Sequence, residues 1–213
     1  MASRRKPKPS LPRVMDKEEA QRCLLEAHDI LRSLEVPHFL ILGTALGAYR
    51  DKGFTPLADD IDIGFLQEEF EPAAPNIARS LIRLGYEVHT VNRPFLACRA
   101  IKATRRGVKL DMVAYWPWKG KRFCTSGDPR AKPYSIVHTR DMLETYDTVE
   151  LFGQVFQVPY PIEEYLHLEY GSAWRIPLPT HLSLTRVYGF CEKEGITNDY
   201  RAVKNQPAGG ATG

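Results

Sequence analysis

Residues 39–65 read FLILGTALGAYRDKGFTPLADDIDIGF, and this stretch decides the fold. An apolar run leads into Gly43-Thr44, a short helical pattern ends at Arg50, a turn-rich loop follows, and then comes Asp59-Asp60-Ile61-Asp62. Side chains on a strand alternate between faces, so Asp60 and Asp62 leave the same face of the sheet while Ile61, Ile63 and Phe65 line the other. Two carboxylates so placed repel each other unless a cation lies between them. A hard divalent ion, Mg2+ or Mn2+, prefers carboxylate and phosphate oxygens and answers that need. The stretch therefore predicts a metal and a phosphorylated substrate.

His38 to Leu42 is almost wholly apolar, as expected of a strand buried on both faces. Gly43 then lets the backbone turn sharply and approach a ligand, Thr44 can hydrogen-bond a phosphate, and the helix start behind them offers free N–H groups to an anion. A plain strand-to-helix turn accounts for the same two residues. Arg50 closes the short helix of Ala45, Leu46, Ala48 and Tyr49. It reads either as a fork for a diphosphate or as a cation at a helix C-terminus.

Upstream, Asp16 followed by Glu19 resembles a helix-start box, with the glutamate reaching back to the aspartate. Ala20, Cys23, Leu24, Ala27, Leu31 and Leu34 then recur at helical spacing, and Pro37 bars extension beyond about Glu35. His28 falls on the edge or polar face of this helix and reads as structural. Residues 1–14, with Arg4, Arg5, Lys6 and Lys8 among prolines, read as a disordered basic arm.

Downstream, a helix is expected from Glu68 to Leu84 with Pro72 and Pro75 restricting its first turns, and Gly85 ends it. Extended stretches follow at Tyr86–Val91 and Phe95–Ala103, then a basic turn at Arg105-Arg106-Gly107. Val108 to Trp116 alternates, with Val108, Leu110 and Met112 against Lys109 and Asp111. A third aspartate is thus displayed on a strand. Three carboxylates on neighbouring strands can hold one or two divalent ions and let the third draw a proton from an attacking hydroxyl. An aspartate in a strand also pairs with basic neighbours, and Lys109 and Arg99 are at hand.

Trp116, Trp118 and Phe123 sit in a loop or hairpin region. Thr148–Phe152 and Gln154–Val158 flank Gly153 as a strand pair. Pro161 opens a helix that Gly171 ends, Trp174 to Pro179 reads as extended, and a last helix is expected over Ser183–Lys193. Residues 206–213 read as a disordered tail.

The 213 residues suit one domain, expected over 15–205. A net charge of +3 is too small to indicate a nucleic-acid partner. No apolar run approaches the roughly 18 residues of a membrane span, and the basic start lacks the hydrophobic stretch of a signal peptide, so the chain reads as cytoplasmic. Cys23, Cys98, Cys124 and Cys191 are scattered and imply neither a zinc site nor a disulfide framework.

The order Gly43-Thr44-x-Leu46-Gly47-Ala48-x-Arg50, Gly53-Phe54-x-Pro56, Asp59-Asp60-Ile61-Asp62-Ile63 resembles the signature of the LicD and fukutin-related phosphotransferases. These belong to the nucleotidyltransferase superfamily, which includes DNA polymerase beta. Lys109-Leu110-Asp111-Met112-Val113 is similar to the family's third acidic strand. Val158-Pro159, Tyr165-Leu166 and Tyr170-Gly171-x-x-Trp174-x-x-Pro177 are similar to its C-terminal block. The family has tryptophan and a first aspartate where this chain has Leu57 and Ala58, a departure that spares the metal-binding pair.

The resemblance implies an α+β fold, a nucleotidyltransferase-like mixed β-sheet flanked by helices with a small C-terminal helical extension. It implies that Asp60, Asp62 and Asp111 are catalytic and bind Mg2+ or Mn2+, with Gly43, Thr44 and Arg50 binding the phosphates of the substrate. The implied reaction transfers phosphocholine, ribitol phosphate or a similar group from a CDP-linked donor to a glycan or other hydroxyl acceptor, releasing CMP. The same site in a nucleotidyltransferase would move a nucleotide from an NTP to a small-molecule or macromolecular hydroxyl. A glycosyltransferase using its D-x-D motif normally has a longer nucleotide-binding sheet before that motif. A non-catalytic binding relative is the reading from outside enzymology.

Overall fold

Asp16 opens the first element by accepting the Glu19 N–H at 2.8 Å, and α1 (Lys17–Ser33) follows. Glu19, expected to reach back to Asp16, instead turns its carboxylate to Arg22, Arg105 and Arg106. The computed structural model describes residues 14–93, 98–125 and 135–177. The basic arm up to residue 13, the helix expected over 183–193 and the tail at 206–213 lie outside them.

After α1 come β1 (Phe39–Leu40), α2 (Leu42–Leu46) with a π-helical turn at Gly47–Asp51, β2 (Ile61–Leu66) and α3 (Gln67–Arg83). β3 (Glu87–Arg93), β4 (Cys98–Arg105), β5 (Val108–Trp118), β6 (Lys121–Thr125) and β7 (Ser135–Thr139) follow. The described residues end with α4 (Arg140–Glu144), β8 (Tyr146–Leu151), β9 (Gln154–Pro159), α5 (Ile162–Tyr170) and a 3-10 turn at Ser172–Arg175. The strand expected over 38–42 is cut to two residues, because Leu42 already starts the next helix. Trp174 and Arg175, expected in an extended segment, lie in the 3-10 turn. α3 runs through both prolines, carried by its apolar face of Phe70, Ile77 and Leu81.

The main sheet has the order β1-β2-β5-β4-β3, with β6 and β7 added at the far end of β5. β2 and β5 are parallel and every other neighbouring pair is antiparallel, so the sheet is mixed. Three tight turns set the β4–β5 and β5–β6 hairpins of this sheet and the separate β8–β9 hairpin: Arg106-Gly107, Lys119-Gly120 and Phe152-Gly153 each place two successive residues at positive φ. That backbone matches the twist of a two-residue hairpin. The basic turn is therefore Arg106-Gly107, with Arg105 still on β4 and opposite Val108.

One face of the sheet is apolar and covered. Ile61, Ile63 and Phe65 of β2, Ile101 and Ala103 of β4, and Leu110, Met112 and Ala114 of β5 are buried beneath α1 and α3. Burial of each large aliphatic or aromatic side chain contributes about 1.5–3 kcal/mol, which orients this face inward. The alternate residues Asp62, Asp111 and Lys102 therefore leave the opposite face. The buried side chains of the β8–β9 hairpin and α5 join the same apolar cluster. His28 is inside it rather than on a polar face: its ring lies 4.4 Å from that of Phe156, and Nδ1 meets His38 Nε2 at 2.9 Å. Cys23 and Cys124 are buried thiols.

Candidate active site

The parallel register of β2 and β5 sets Asp62 opposite Asp111. Asp60 immediately precedes β2, and one oxygen from each of Asp60, Asp62 and Asp111 lies within 4.8 Å of the others. Among the described residues, the ligand atoms that converge there are carboxylate oxygens. That donor set fits Mg2+ or Mn2+ better than softer metals, which favour nitrogen or sulfur.

The electrostatics follow from crowding. Asp62 is 8% exposed, and burial, followed by the charges of Asp60 and Asp111, holds its carboxyl well above the usual carboxylate range. Asp60 is pushed up to about 6 by burial and by the Asp59 and Asp111 carboxylates, against the opposing pull of Lys109 and Lys102. A carboxylate cluster in this state gains from any cation that neutralises it.

The turn before α2 braces the site. Leu42 takes the left-handed backbone, φ 48°, so the sharp turn expected at Gly43 falls one residue earlier. A branched side chain resists that conformation by about 1–2 kcal/mol, and the Leu42 N–H is held by the Tyr165 hydroxyl at 2.9 Å. Gly43 lies beside the carboxylate, but no close approach requires glycine there: a Cβ would stand in ordinary contact, 4.0 Å from both Asp62 Oδ2 and the Tyr170 hydroxyl. The buried Thr44 hydroxyl accepts the Asp62 N–H at 2.8 Å, which fixes the strand beneath the carboxylate.

Arg50 is engaged elsewhere. It donates through Nε and Nη2 to Asp51 at 2.8 and 2.7 Å and through Nη1 to the Trp174 carbonyl at 2.8 Å. With its side chain 12% exposed, it ties the π-helical turn to the C-terminal 3-10 turn. Of the basic neighbours expected for Asp111, Arg99 pairs with Glu71 instead, and Lys109 rims the carboxylates beside Lys102, which the sequence did not mark. Lys102 donates to Asp111 and Lys109 donates to Asp59 at 3.4 Å. The two-residue turn at Arg106-Gly107 was the available signal, since pairing Arg105 with Val108 brings Lys102 opposite Asp111. A cavity of about 560 Å³ between the end of α1 and the β8–β9 hairpin, lined in part by Arg32, His38 and Gln157, includes none of these carboxylates.

A mixed sheet presenting a carboxylate trio from a parallel strand pair, beside a tight turn into a short helix, defines a nucleotidyltransferase-like domain. The fold is similar to that of the antibiotic-resistance factor ANT(2'')-Ia in solution, with a TM-score of 0.51 and 14% identity over 89% of this chain and 91% of that one. The LicD/FKTN/FKRP nucleotidyltransferase domain matches residues 35–159, and the chain belongs to that family. The mouse ribitol-5-phosphate transferase FKTN is 25% identical over 170 residues, 77% of this chain and 35% of the relative. An uncharacterized Caenorhabditis elegans protein is 42% identical over 170 residues, 74% of this chain and 42% of its own length. The chain thus spans well under half the length of these relatives. Among the described residues, no helix is long and apolar enough to cross a membrane.

Proposed function

We propose that the chain transfers a phospho-alcohol group, of the phosphocholine or ribitol-phosphate kind, from a CDP-linked donor to a hydroxyl of a glycan or another acceptor. The observation that carries this reading is the convergence of Asp60, Asp62 and Asp111 within 4.8 Å in a LicD-family domain. The ribitol-5-phosphate transferase activity in the name of the mouse relative supports the phospho-alcohol as the group moved.

Asp60, Asp62 and Asp111 would hold Mg2+ or Mn2+, which would supply positive charge against the donor diphosphate. Asp111 accepts the proton of the attacking hydroxyl. The acceptor oxygen bonds to the distal phosphorus as that phosphorus separates from the bridging oxygen, whose electron pair leaves with CMP. Thr44 holds the Asp62 backbone, and Gly43 stands beside the Asp62 carboxylate at the turn that would face a donor phosphate. The part of Arg50 in phosphate binding is to hold the segment that carries this turn, with its remaining N–H groups available to the donor.

Incubation with CDP-ribitol, CDP-choline and CTP in Mg2+ or Mn2+ tests the reading. Release of CMP from a CDP-alcohol, with the phospho-alcohol on the acceptor or in water, is the expected result. A nucleotidylated acceptor would instead assign transfer of the nucleotide. No product from any donor, and no thermal stabilisation by donor with metal, would leave a non-catalytic domain.

A further inference from the structure

The carboxylate trio already holds a cation of its own. Asp62, Asp111 and Lys102 form one row across β2, β5 and β4, and Lys102 Nζ donates to Asp111 Oδ2. Asp111 has only two carboxylate oxygens, so Lys102 holds half of what this residue can offer a metal. The side chain of Lys102 is 47% exposed on a flexible four-carbon stem, which leaves its ammonium free to swing. Lys109 differs in one respect. It pairs with Asp59, which lies outside the trio, so its position does not compete for a trio oxygen.

A lysine ammonium and a divalent cation cannot share one carboxylate without repelling each other, and the weaker charge on the freer stem is the one that moves. The released ammonium finds a substitute partner in a phosphate oxygen, for which a lysine point charge is well suited. We propose that Lys102 is an exchange cation: it neutralises Asp111 in the metal-free protein and moves to a phosphate of the donor when metal and nucleoside diphosphate are bound. This inference rests on the metal and diphosphate reading of the trio. Exchange thereby opens the Asp111 oxygen that Lys102 held to the incoming metal, and so couples metal loading to donor binding.

The test measures Mn2+ binding alone, then CDP binding at saturating Mn2+, for wild type, Lys102→Gln, Lys102→Arg and Lys109→Gln. Circular dichroism checks that each variant folds. Lys102→Gln should bind Mn2+ about 5–10-fold more tightly and CDP about 10-fold more weakly, because a competitor for the metal and a ligand of the phosphate are lost together. Lys102→Arg should restore CDP binding, and Lys109→Gln should change both affinities less. A merely structural ion pair would not move the two affinities in opposite directions. Equal Mn2+ or equal CDP affinity in wild type and Lys102→Gln would overturn the role of Lys102 while leaving the metal site standing. Absence of Mn2+ binding in every protein would overturn the metal reading and this inference with it.

Discussion

Asp62 and Asp111 stand directly opposite each other on the parallel pair β2 and β5, and their side chains leave the sheet on one face. The backbone ladder fixes the two residues side by side, so their carboxylates leave the sheet from neighbouring positions. Their repulsion is therefore built into the metal-free fold. Asp60 adds a third charge at the strand entrance.

Replacing Asp62 by Asn removes a buried like charge without changing shape. In EDTA the variant should be more stable than wild type by about 1 kcal/mol, a rise of several degrees in Tm for a domain of this size. Mg2+ or Mn2+ should raise the Tm of wild type and leave that of the variant unchanged. Differential scanning fluorimetry with and without metal checks both. A variant less stable in EDTA would remove repulsion as the governing term.

Thr44→Val deletes the acceptor of the Asp62 N–H and leaves that amide buried without a partner. The expected cost is about 1–3 kcal/mol, with weaker Mn2+ binding as the strand shifts beneath Asp62. Thr44→Ser keeps the oxygen and should retain most of both. Urea denaturation and Mn2+ titration of the pair separate hydroxyl loss from methyl loss.

Gly47→Ala places a Cβ 2.4 Å from the Gly53 carbonyl oxygen and 2.9 Å from the Thr55 nitrogen. Both are backbone atoms, so relief requires moving the loop that leads toward Asp59 and Asp60. A loss of about 2–4 kcal/mol is expected, comparable to an overpacked core. Equilibrium unfolding that matches wild type would show that this loop shifts freely.

Burial lowers the pKa of His38 from its ordinary 6.5 to about 4, with the neighbouring His28 and Arg32 acting in the same direction and the Val36 carbonyl against them. Below pH 6.5 the unfolded chain takes up a proton that the folded one refuses. The contribution to stability is thus complete above that pH and is lost as pH falls towards 4. His38→Gln should remove about 2–3 kcal/mol of this pH dependence. Urea midpoints at pH 7 and pH 4.5 measure it as a wild-type minus variant difference, in which the opposing trend of the carboxylate cluster cancels.

Much of the fold was legible in the sequence because local periodicity encodes it. The 3.6-residue repeat from Ala20 to Leu31 made α1, and alternation put Ile61, Ile63 and Phe65 on one face and Asp62 on the other. The same alternation separated Leu110 and Met112 from Asp111. These patterns also made the three aspartates candidates for one site. They could not make them neighbours, because strand pairing across intervening elements leaves no mark on either strand's own pattern.

The tertiary structure decided everything that depends on remote partners. The β2–β5 ladder brought Asp111 to Asp62, and the Arg106-Gly107 turn brought Lys102 to Asp111. Tyr165 holds the left-handed turn at Leu42, and the Trp174 carbonyl engages Arg50. Phe156 encloses His28 in the core. The sequence alone determined which residue types face outward from each element, since burial of apolar side chains acts within a single helix or strand pattern. Which outward residues meet was settled only by hydrogen-bond register and packing between distant segments, and the site consists of those meetings.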